Sequence, residues 1–217
     1  MTQAGPKGRT GLFGGTFNPI HLGHLHLAQE ALLAFELDRV LFIPNRLPPH
    51  RRHGALVDTA HRCTMVELAI ASNPSFFLSR VELDREEDGP SYSVDTVEAL
   101  HAAAPEAPLY FLCGADALMR YAWKDLDRML GRLAAMVCVT RPGFSLAELD
   151  RRLDGLGLVN RARLQNLEVT GYHLSSSEIR RRLARGCSVR YMVSREVEEY
   201  IVKFELYKAL EVSVERD

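Results

Sequence analysis

Short apolar runs alternate with amphipathic segments along this chain. The runs have the length and composition of buried β-strands and lie at 10–14, 39–43, 76–81, 109–113, 134–140 and 166–169. Between and after them, apolar residues recur at helical spacing and predict helices at 22–35, 59–71, 93–103, 115–121, 145–153, 177–185 and 195–203. This alternation predicts an α/β fold with a doubly wound, mainly parallel sheet. Ligands of such sheets bind beyond the carboxyl ends of the strands, near the point where the strand order reverses, so we expect function in those loops.

Length and charge narrow the class of protein. A chain of 217 residues can bury a substantial core and predicts one domain, with its core at about 10–185 and a small helical C-terminal extension at about 186–217. The formal net charge of −1 gives no overall attraction to nucleic acid or to an anionic membrane. The chain has neither an apolar run of roughly 18 residues nor a signal-peptide pattern at its start. We therefore expect a cytoplasmic protein without nucleic-acid or membrane partners, and the sequence is compatible with a homo-oligomer.

The segment at 11–27, GLFGGTFNPIHLGHLHL, has the composition of an anion site. An apolar strand runs into Gly14 and Gly15, and a helix begins shortly afterwards. Glycines let the main chain approach a ligand closely, and a helix start offers unpaired N–H groups and the positive end of the helix dipole. Because His21 and His24 are three positions apart, they lie on one face of that helix start. This arrangement predicts phosphate binding.

The same segment is neither of the two common nucleotide loops, because it matches neither G-x-x-x-x-G-K-[ST] nor G-x-G-x-x-G. It fits the pattern G-x-F-x-P-x-H-x-G-H and thereby resembles the nucleotidylyltransferase superfamily, through Gly15, Phe17, Pro19, His21, Gly23 and His24. Two alternatives are less favoured. The histidines could serve packing alone, or they could bind zinc together with His26, although H-E-x-x-H spacing is missing. We predict no resident metal site.

A second motif lies near the C-terminus, at 174–180. Ser175 or Ser176 can cap a helix that carries Ser177 in its first turn and Arg180 one turn further. A serine run before a helix is usually no more than a cap. Here it resembles the I-S-S-T-x-I-R motif of the same superfamily, with Leu174 replacing the first isoleucine and a serine replacing the threonine. The resemblance implies that this helix start holds the polyphosphate of ATP.

The middle of the chain resembles one family within that superfamily. NRLPPHRR at 45–52, GPSYSVDTV at 89–97, CGAD at 113–116 and RPG at 141–143 resemble the bacterial nicotinate mononucleotide adenylyltransferases, in the same order, over roughly residues 10–207. The resemblance implies a Rossmann-like fold and an acceptor nucleotide bound by Thr16, Ser93, Asp116, Trp123 and Lys124. In that family the indole stacks on the pyridine ring, and main-chain N–H groups near Ser93 and Lys124 meet its carboxylate. The proline-rich basic loop at 44–54 contributes Arg46, His50 and Arg51 as candidate phosphate contacts, although alone it could be a solvated loop.

The chemistry implied by the resemblance is transfer of AMP from ATP to nicotinate mononucleotide, without a covalent enzyme intermediate. The expected catalytic residues are His21, His24 and Arg180, and Mg²⁺ enters with ATP. The expected ATP site comprises Gly14, Gly15, Thr16, Phe17, His21, Gly23, His24, Ser175, Ser176, Ser177 and Arg180. Two rival functions stay open: transfer to another acceptor, such as nicotinamide mononucleotide or pantetheine phosphate, and nucleotide sensing without turnover.

Overall fold

The computed structural model describes residues 5–47, 56–85, 89–170 and 174–208. Within them the strands are β1 (Thr10–Gly15), β2 (Arg39–Pro44), β3 (Phe76–Leu78), β4 (Leu109–Gly114), β5 (Ala135–Thr140) and β6 (Leu164–Glu168). The helices are α1 (Leu22–Ala34), α2 (Thr59–Ile70), α3 (Ser93–Ala103), α4 (Ala115–Arg120), α5 (Leu126–Leu130), α6 (Leu146–Asp154), α7 (Ser176–Ala184) and α8 (Arg195–Lys203), with a 3-10 turn at Arg161–Arg163.

The six strands form one parallel sheet in the order β3-β2-β1-β4-β5-β6. Strand β1 is central, and its Thr10 pairs with Arg39 on one side and with Leu109 on the other. The chain moves outward in one direction from β1 to β3 and in the other from β4 to β6, so the strand order reverses between β1 and β4. This confirms the predicted doubly wound, Rossmann-like sheet and puts its ligand crevice at the carboxyl ends of β1 and β4.

Adjacent side chains of β1 enter two different cores, since successive residues of a strand point to opposite faces. Phe13 belongs to the core built with α1, α2, α7 and α8, whereas Leu12 belongs to the core built with α3, α4, α5 and α6. Both faces of the sheet are therefore covered. This explains why its strands appear in the sequence as continuous apolar runs rather than as alternating patterns.

Most element ends agree with the prediction within one residue, and the larger differences concern β3, β6 and α5. β3 ends at Leu78 rather than at residue 81, because Leu83 and Asp84 both donate to the Arg80 carbonyl and turn the chain away from the sheet. β6 covers 164–168 rather than 166–169, and all five of its residues are exposed or half-buried at the sheet edge. The five-residue helix α5 was not predicted, because it is too short to show a helical period.

The predicted helical C-terminal segment is present. Ser194 caps α8 by accepting from the Val197 N–H at 3.4 Å, and Val197 and Ile201 pack into the core shared with α1 and α2. The chain then turns, and Tyr207 is buried in the same core. In the part of the chain that the structure describes, no helix has the length and apolarity needed to span a membrane.

Candidate active site

The loop between β1 and α1 is irregular but buried. Residues 17–21 are all inaccessible or nearly so, although they belong to no helix or strand. Phe17 has φ 47°, a left-handed conformation that a side chain rarely adopts. Its ring lies against Gly15, where an added Cβ would be 2.9 Å from the ring. The second glycine of the turn is therefore required by the packing of Phe17 as well as by any ligand.

His21 and His24 stack at the start of α1. Their ring centroids are 3.6 Å apart and the rings are inclined by 22°. The His21 backbone N–H donates to Nδ1 of His24 at 3.2 Å, so a neutral His24 carries its proton on Nε2 and can donate from there. The predicted juxtaposition of the two histidines is thus present. Gly23 belongs to this arrangement too, since a Cβ there would be 3.1 Å from Nδ1 of His21.

Burial keeps both imidazoles neutral. Desolvation lowers the pKa of His21 to about 4, against a weaker raising effect from a hydrogen bond with its own backbone. The pKa of His24 is lowered well below its usual value, first by desolvation and then by the neighbouring His21. The rings of Phe13 and Phe17 lie 5.9 and 5.2 Å from that of His24 and contribute to this dry environment. At neutral pH the pair offers N–H donors without positive charge.

The start of α7 packs directly on this loop. Ser175 is the cap, and its hydroxyl accepts from the Glu178 N–H at 3.2 Å. The Ser176 hydroxyl donates to the Pro19 carbonyl at 2.9 Å, across 157 positions of sequence. Arg180 donates to the Asn18 carbonyl at 2.7 Å and to the Ser177 hydroxyl at 3.1 Å. The structure therefore brings the two predicted motifs together, in contact through the backbone of the loop.

A cavity of about 310 Å³ opens beside this loop, between the carboxyl ends of β1 and β4. It lies at the predicted switch point. Its lining includes Gly14, Gly15, Thr16, Ser93, Trp123 and Lys124 of the predicted site, together with Phe13, Asn45, Ser91, Tyr92, Phe111, Cys113, Gly114, Ala117, Tyr121 and Ala122. The volume is at the small end of the range for a small-molecule site, about 300–1,000 Å³.

Aromatic side chains shape one end of the cavity. Trp123 donates from Nε1 to the Ala117 carbonyl at 3.1 Å and stands edge-on to Phe111, with ring centroids 5.8 Å apart and planes at 89°. The hydrogen bond and the Phe111 contact fix the indole in place. At the other side, the ammonium of Lys124 lies 4.5 Å from the centre of the Tyr92 ring, so two residues that line the cavity contact each other.

Two predicted residues, Asp116 and Arg46, bond to other protein groups, and two more cannot be placed. Asp116 is half-exposed, outside the lining of the cavity, and forms an ion pair with Arg141, which joins the CGAD and RPG segments. Arg46 donates to the Arg85 carbonyl at 2.9 Å. His50 and Arg51 lie outside the described residues. Within those residues, no three histidine, cysteine or carboxylate side chains come close enough together to hold a metal ion.

The predicted set of site residues omitted two buried charged residues that shape the site. Arg62 is fully buried in α2 and donates to the Thr16 carbonyl at 2.9 Å and to the Thr59 hydroxyl at 2.7 Å. Glu82 is buried as well, and it accepts from Asn45 of the cavity wall at 3.2 Å. A signal for Arg62 was present, because it shares the apolar helical face of Met65, Val66 and Ala69. An arginine on such a face has a buried partner.

Comparison with known proteins agrees with this geometry. Residues 12–182 match the model of the family described as cytidylyltransferase-like. A probable nicotinate-nucleotide adenylyltransferase of Moorella thermoacetica is 43% identical over 203 residues, 93% of this chain and 92% of that protein. One of Symbiobacterium thermophilum is 41% identical over 200 residues, 92% of this chain and 95% of that protein. The solved nicotinic acid mononucleotide adenylyltransferase of Plasmodium falciparum complexed with NaAD has a TM-score of 0.73 at 17% identity and covers 93% of this chain and 98% of its own.

The low pKa of His21 predicts a loss of stability in acid. An unfolded histidine titrates near its ordinary pKa of 6.5, so between pH 6.5 and about 4 the unfolded chain binds a proton that the folded chain does not. Stability therefore rises with pH across this window and is lost as the pH falls, by about 3 kcal/mol from His21 alone. Urea unfolding at a series of pH values measures this slope.

The His21→Asn variant isolates the contribution of that ring. The quantity compared between the variant and the parent is the change in unfolding free energy from pH 7 to pH 4.5. A difference in stability between the two proteins at pH 7 therefore does not affect the test. The parent should lose more than the variant over this range. Equal losses in the two proteins would contradict the assignment of a desolvated, neutral His21.

Proposed function

The chain belongs to the cytidylyltransferase-like family and, within it, to the nicotinate-nucleotide adenylyltransferases, and from this membership we propose that it transfers AMP from ATP to nicotinate mononucleotide. The products are deamido-NAD and pyrophosphate, and the reaction is a step of NAD biosynthesis. The observation that carries the proposal is the cavity between β1 and β4 beside the stacked histidines, with Phe13 contributing to both. We also propose that it acts in the cytoplasm as one domain with its C-terminal extension.

The reaction requires positioning rather than a general base. The 5′-phosphate of the acceptor is already ionised near neutral pH and attacks the α-phosphorus of ATP in line, while pyrophosphate leaves from the opposite side. Two anions must be held together, and negative charge grows on the α-phosphoryl oxygens and on the leaving group. Preorganised donors in a dry site stabilise that charge most effectively.

In this proposal His24 donates from Nε2 to an α-phosphate oxygen in the transition state. Its tautomer is set by the hydrogen bond that Nδ1 accepts from the His21 backbone. Because burial lowers its pKa, the imidazole acts as a neutral donor and does not need to release a proton. His21 orients it by stacking, and the main chain of Thr16 and Phe17 meets phosphate on the other side of the turn.

The proposed polyphosphate site is the start of α7, next to the same loop. Its N-terminal N–H groups, the Ser177 hydroxyl and the Arg180 guanidinium are the donors that β- and γ-phosphates require. The Ser176 hydroxyl would join them only by turning its single proton from the Pro19 carbonyl to a phosphate oxygen. Arg46, His50 and Arg51 are further candidates for phosphate contact. Mg²⁺ is the companion of ATP in this proposal, held mainly by phosphate oxygens and water, because the described residues offer no cluster of three metal ligands.

The proposed acceptor site is the cavity itself. Trp123, held by its bond to Ala117 and by Phe111, presents an aromatic surface on which the pyridine ring can stack. Ser93 is the first residue of α3, where the N–H groups have no partner within the helix and suit a carboxylate. Asp116 is also a proposed ligand of the acceptor. To reach the substrate, its carboxylate would have to leave the ion pair with Arg141.

The activity is tested by measuring pyrophosphate release from ATP and Mg²⁺ with nicotinate mononucleotide, nicotinamide mononucleotide, pantetheine phosphate or no acceptor. We expect release with the first. Release with pantetheine phosphate in preference to both mononucleotides would favour another acceptor class. Nucleotide binding without release under any condition would favour a sensing role.

We predict that His24→Ala lowers kcat by about a hundredfold or more and changes ATP affinity little, because its hydrogen bond strengthens as charge develops. Steady-state kinetics and titration with a non-hydrolysable ATP analogue measure the two effects. His26→Ala is the matched control, since His26 sits two positions further along α1 and contacts the Thr170 carbonyl. A kcat for His24→Ala within a few-fold of the parent would rule out this role.

We predict that Arg180→Ala raises the KM for ATP more than the KM for the acceptor. Loss of a charge-assisted contact costs about 1.5–3 kcal/mol, or roughly ten- to a hundredfold. Arg181→Ala is the matched control, because Arg181 is exposed on the same helix and paired with Glu178. If calorimetric titration shows equal losses of affinity for ATP and for the mononucleotide, Arg180 serves the loop and not the polyphosphate.

We predict a preference for the acid over the amide. The two mononucleotides differ only in a carboxylate or a carboxamide, so shape cannot separate them. N–H donors near Ser93 and Lys124 can distinguish them. A carboxylate accepts a hydrogen bond from both donors, whereas an amide leaves one donor unpaired or opposes it with its own NH₂ group. An unpaired buried donor costs about 1–3 kcal/mol, and with the lost charge attraction we expect a preference of at least roughly a hundredfold in kcat/KM.

The two kcat/KM values are to be measured side by side at one concentration of ATP and Mg²⁺. A ratio near one, or one that favours the amide, would contradict the proposed carboxylate contacts while leaving adenylyl transfer intact. Lys124→Ala should change the ratio only modestly, because an exposed charge contributes little.

A further inference from the structure

The loop at 16–21 needs support from outside itself. A left-handed residue such as Phe17 costs about 1–3 kcal/mol, and such a conformation persists only where neighbouring contacts fix it. Arg62, Ser176 and Arg180 hold three of its carbonyls. None of these contacts reaches the side chain of Asn18, which lies fully buried in the middle of the loop.

That side chain is held by the C-terminal extension. The Asn18 amide oxygen accepts a buried hydrogen bond from the Tyr207 hydroxyl at 2.9 Å, across 189 positions of sequence. The same oxygen accepts from the Val57 N–H at 3.4 Å. A buried hydrogen bond between uncharged groups contributes modestly when made, but leaving one partner unsatisfied costs more.

The extension adopts an unfavourable backbone to make this contact. Tyr207 has φ 68° and Glu205 has φ 53°, so two side-chain-bearing residues of one turn are left-handed. Tyr207 is only 3% exposed, which means that the turn delivers its ring and hydroxyl into the core beneath the loop. Strained residues of this kind concentrate where geometry serves function.

A second contact from the extension reaches the other end of the loop. The Met192 carbonyl accepts from the Leu22 N–H at 3.0 Å. Leu22 is the first residue of α1, so this bond occupies one of the N–H groups that a helix start would otherwise offer to an anion. Asn18 and Leu22 thus bracket the segment that carries His21, and each is tied to the region beyond residue 186.

We propose that the C-terminal extension is a working part of the active site and that Tyr207 is a positioning residue for His24. By holding Asn18 it fixes the path of the loop into α1 and so the place from which the imidazole donates. The kinetic part of this inference rests on the proposed function. Displacement of a reacting group by about 1 Å can cost a hundredfold in rate, and loss of one hydrogen bond produces a smaller displacement.

The test compares Tyr207→Phe with Tyr200→Phe. Both variants remove one hydroxyl from a tyrosine of the extension. The Tyr200 hydroxyl shares a hydrogen bond of 2.9 Å with Nδ1 of His61, which belongs to α2 and not to the loop. Pyrophosphate release gives kcat and KM, urea unfolding gives stability, and hydrogen–deuterium exchange of the segment covering residues 16–25 reports on the loop without any substrate.

We expect Tyr207→Phe to lower kcat about tenfold with KM values within about twofold, and to speed exchange of the 16–25 segment about fivefold. Tyr200→Phe should keep kcat and exchange within twofold of the parent, even where its loss of stability is similar. Equal exchange in the two variants, or a kcat for Tyr207→Phe within twofold of the parent, would overturn the inference. If the parent releases no pyrophosphate with any acceptor, the proposed function fails, and the exchange comparison alone decides whether Tyr207 holds the loop.

Discussion

The site depends on the hydrogen bonds that remote side chains donate to the carbonyls of one buried loop. Arg62 reaches the Thr16 carbonyl, Arg180 the Asn18 carbonyl and Ser176 the Pro19 carbonyl. Buried backbone groups must be paired, and a loop without regular structure cannot pair them internally. The helices α2 and α7, which are distant from the loop in sequence, therefore supply the hydrogen-bond donors that β1 and α1 cannot. These donors therefore support the path of the loop that carries the left-handed Phe17 and leads to the stacked histidines.

This constraint also determines the chemistry that the histidines can perform. A loop held this tightly excludes water from the imidazoles, and desolvation is the main cause of their low pKa values. In the proposed mechanism, neutral rings contribute less Coulombic attraction to ATP than charged ones would. They gain instead a donor whose direction is fixed before the substrate arrives, so little reorganisation is needed when charge develops in the transition state. Burying neutral imidazoles also makes the folded state less stable in acid, because the unfolded chain binds protons there more readily.

The sequence predicted much of the fold, because a buried parallel sheet leaves a strong local signature. The apolar runs of β1, β2, β4 and β5 and the helical period of α1 and α2 were sufficient for their placement, and the fixed spacing of H-x-G-H located the histidines. The features that the sequence did not predict are either elements too short to show a period or contacts between residues far apart in sequence. The five residues of α5 show no period, and no local pattern links Tyr207 to Asn18 or Ser176 to Pro19. The depressed pKa of His24 depends mainly on its burial, which only the folded chain creates.

The motif residues of α7 contact the buried loop and also belong to the proposed polyphosphate site. Arg180 contacts the loop backbone through one nitrogen and the Ser177 hydroxyl through another, in the same helix start where phosphates are proposed to bind. A polyphosphate that engages this helix start would therefore act on groups already joined to the loop that carries His24. In the proposed mechanism, the groups that bind ATP and the loop that positions the imidazole are therefore joined by direct hydrogen bonds. In such a site the division between a residue that binds substrate and one that maintains the fold does not hold.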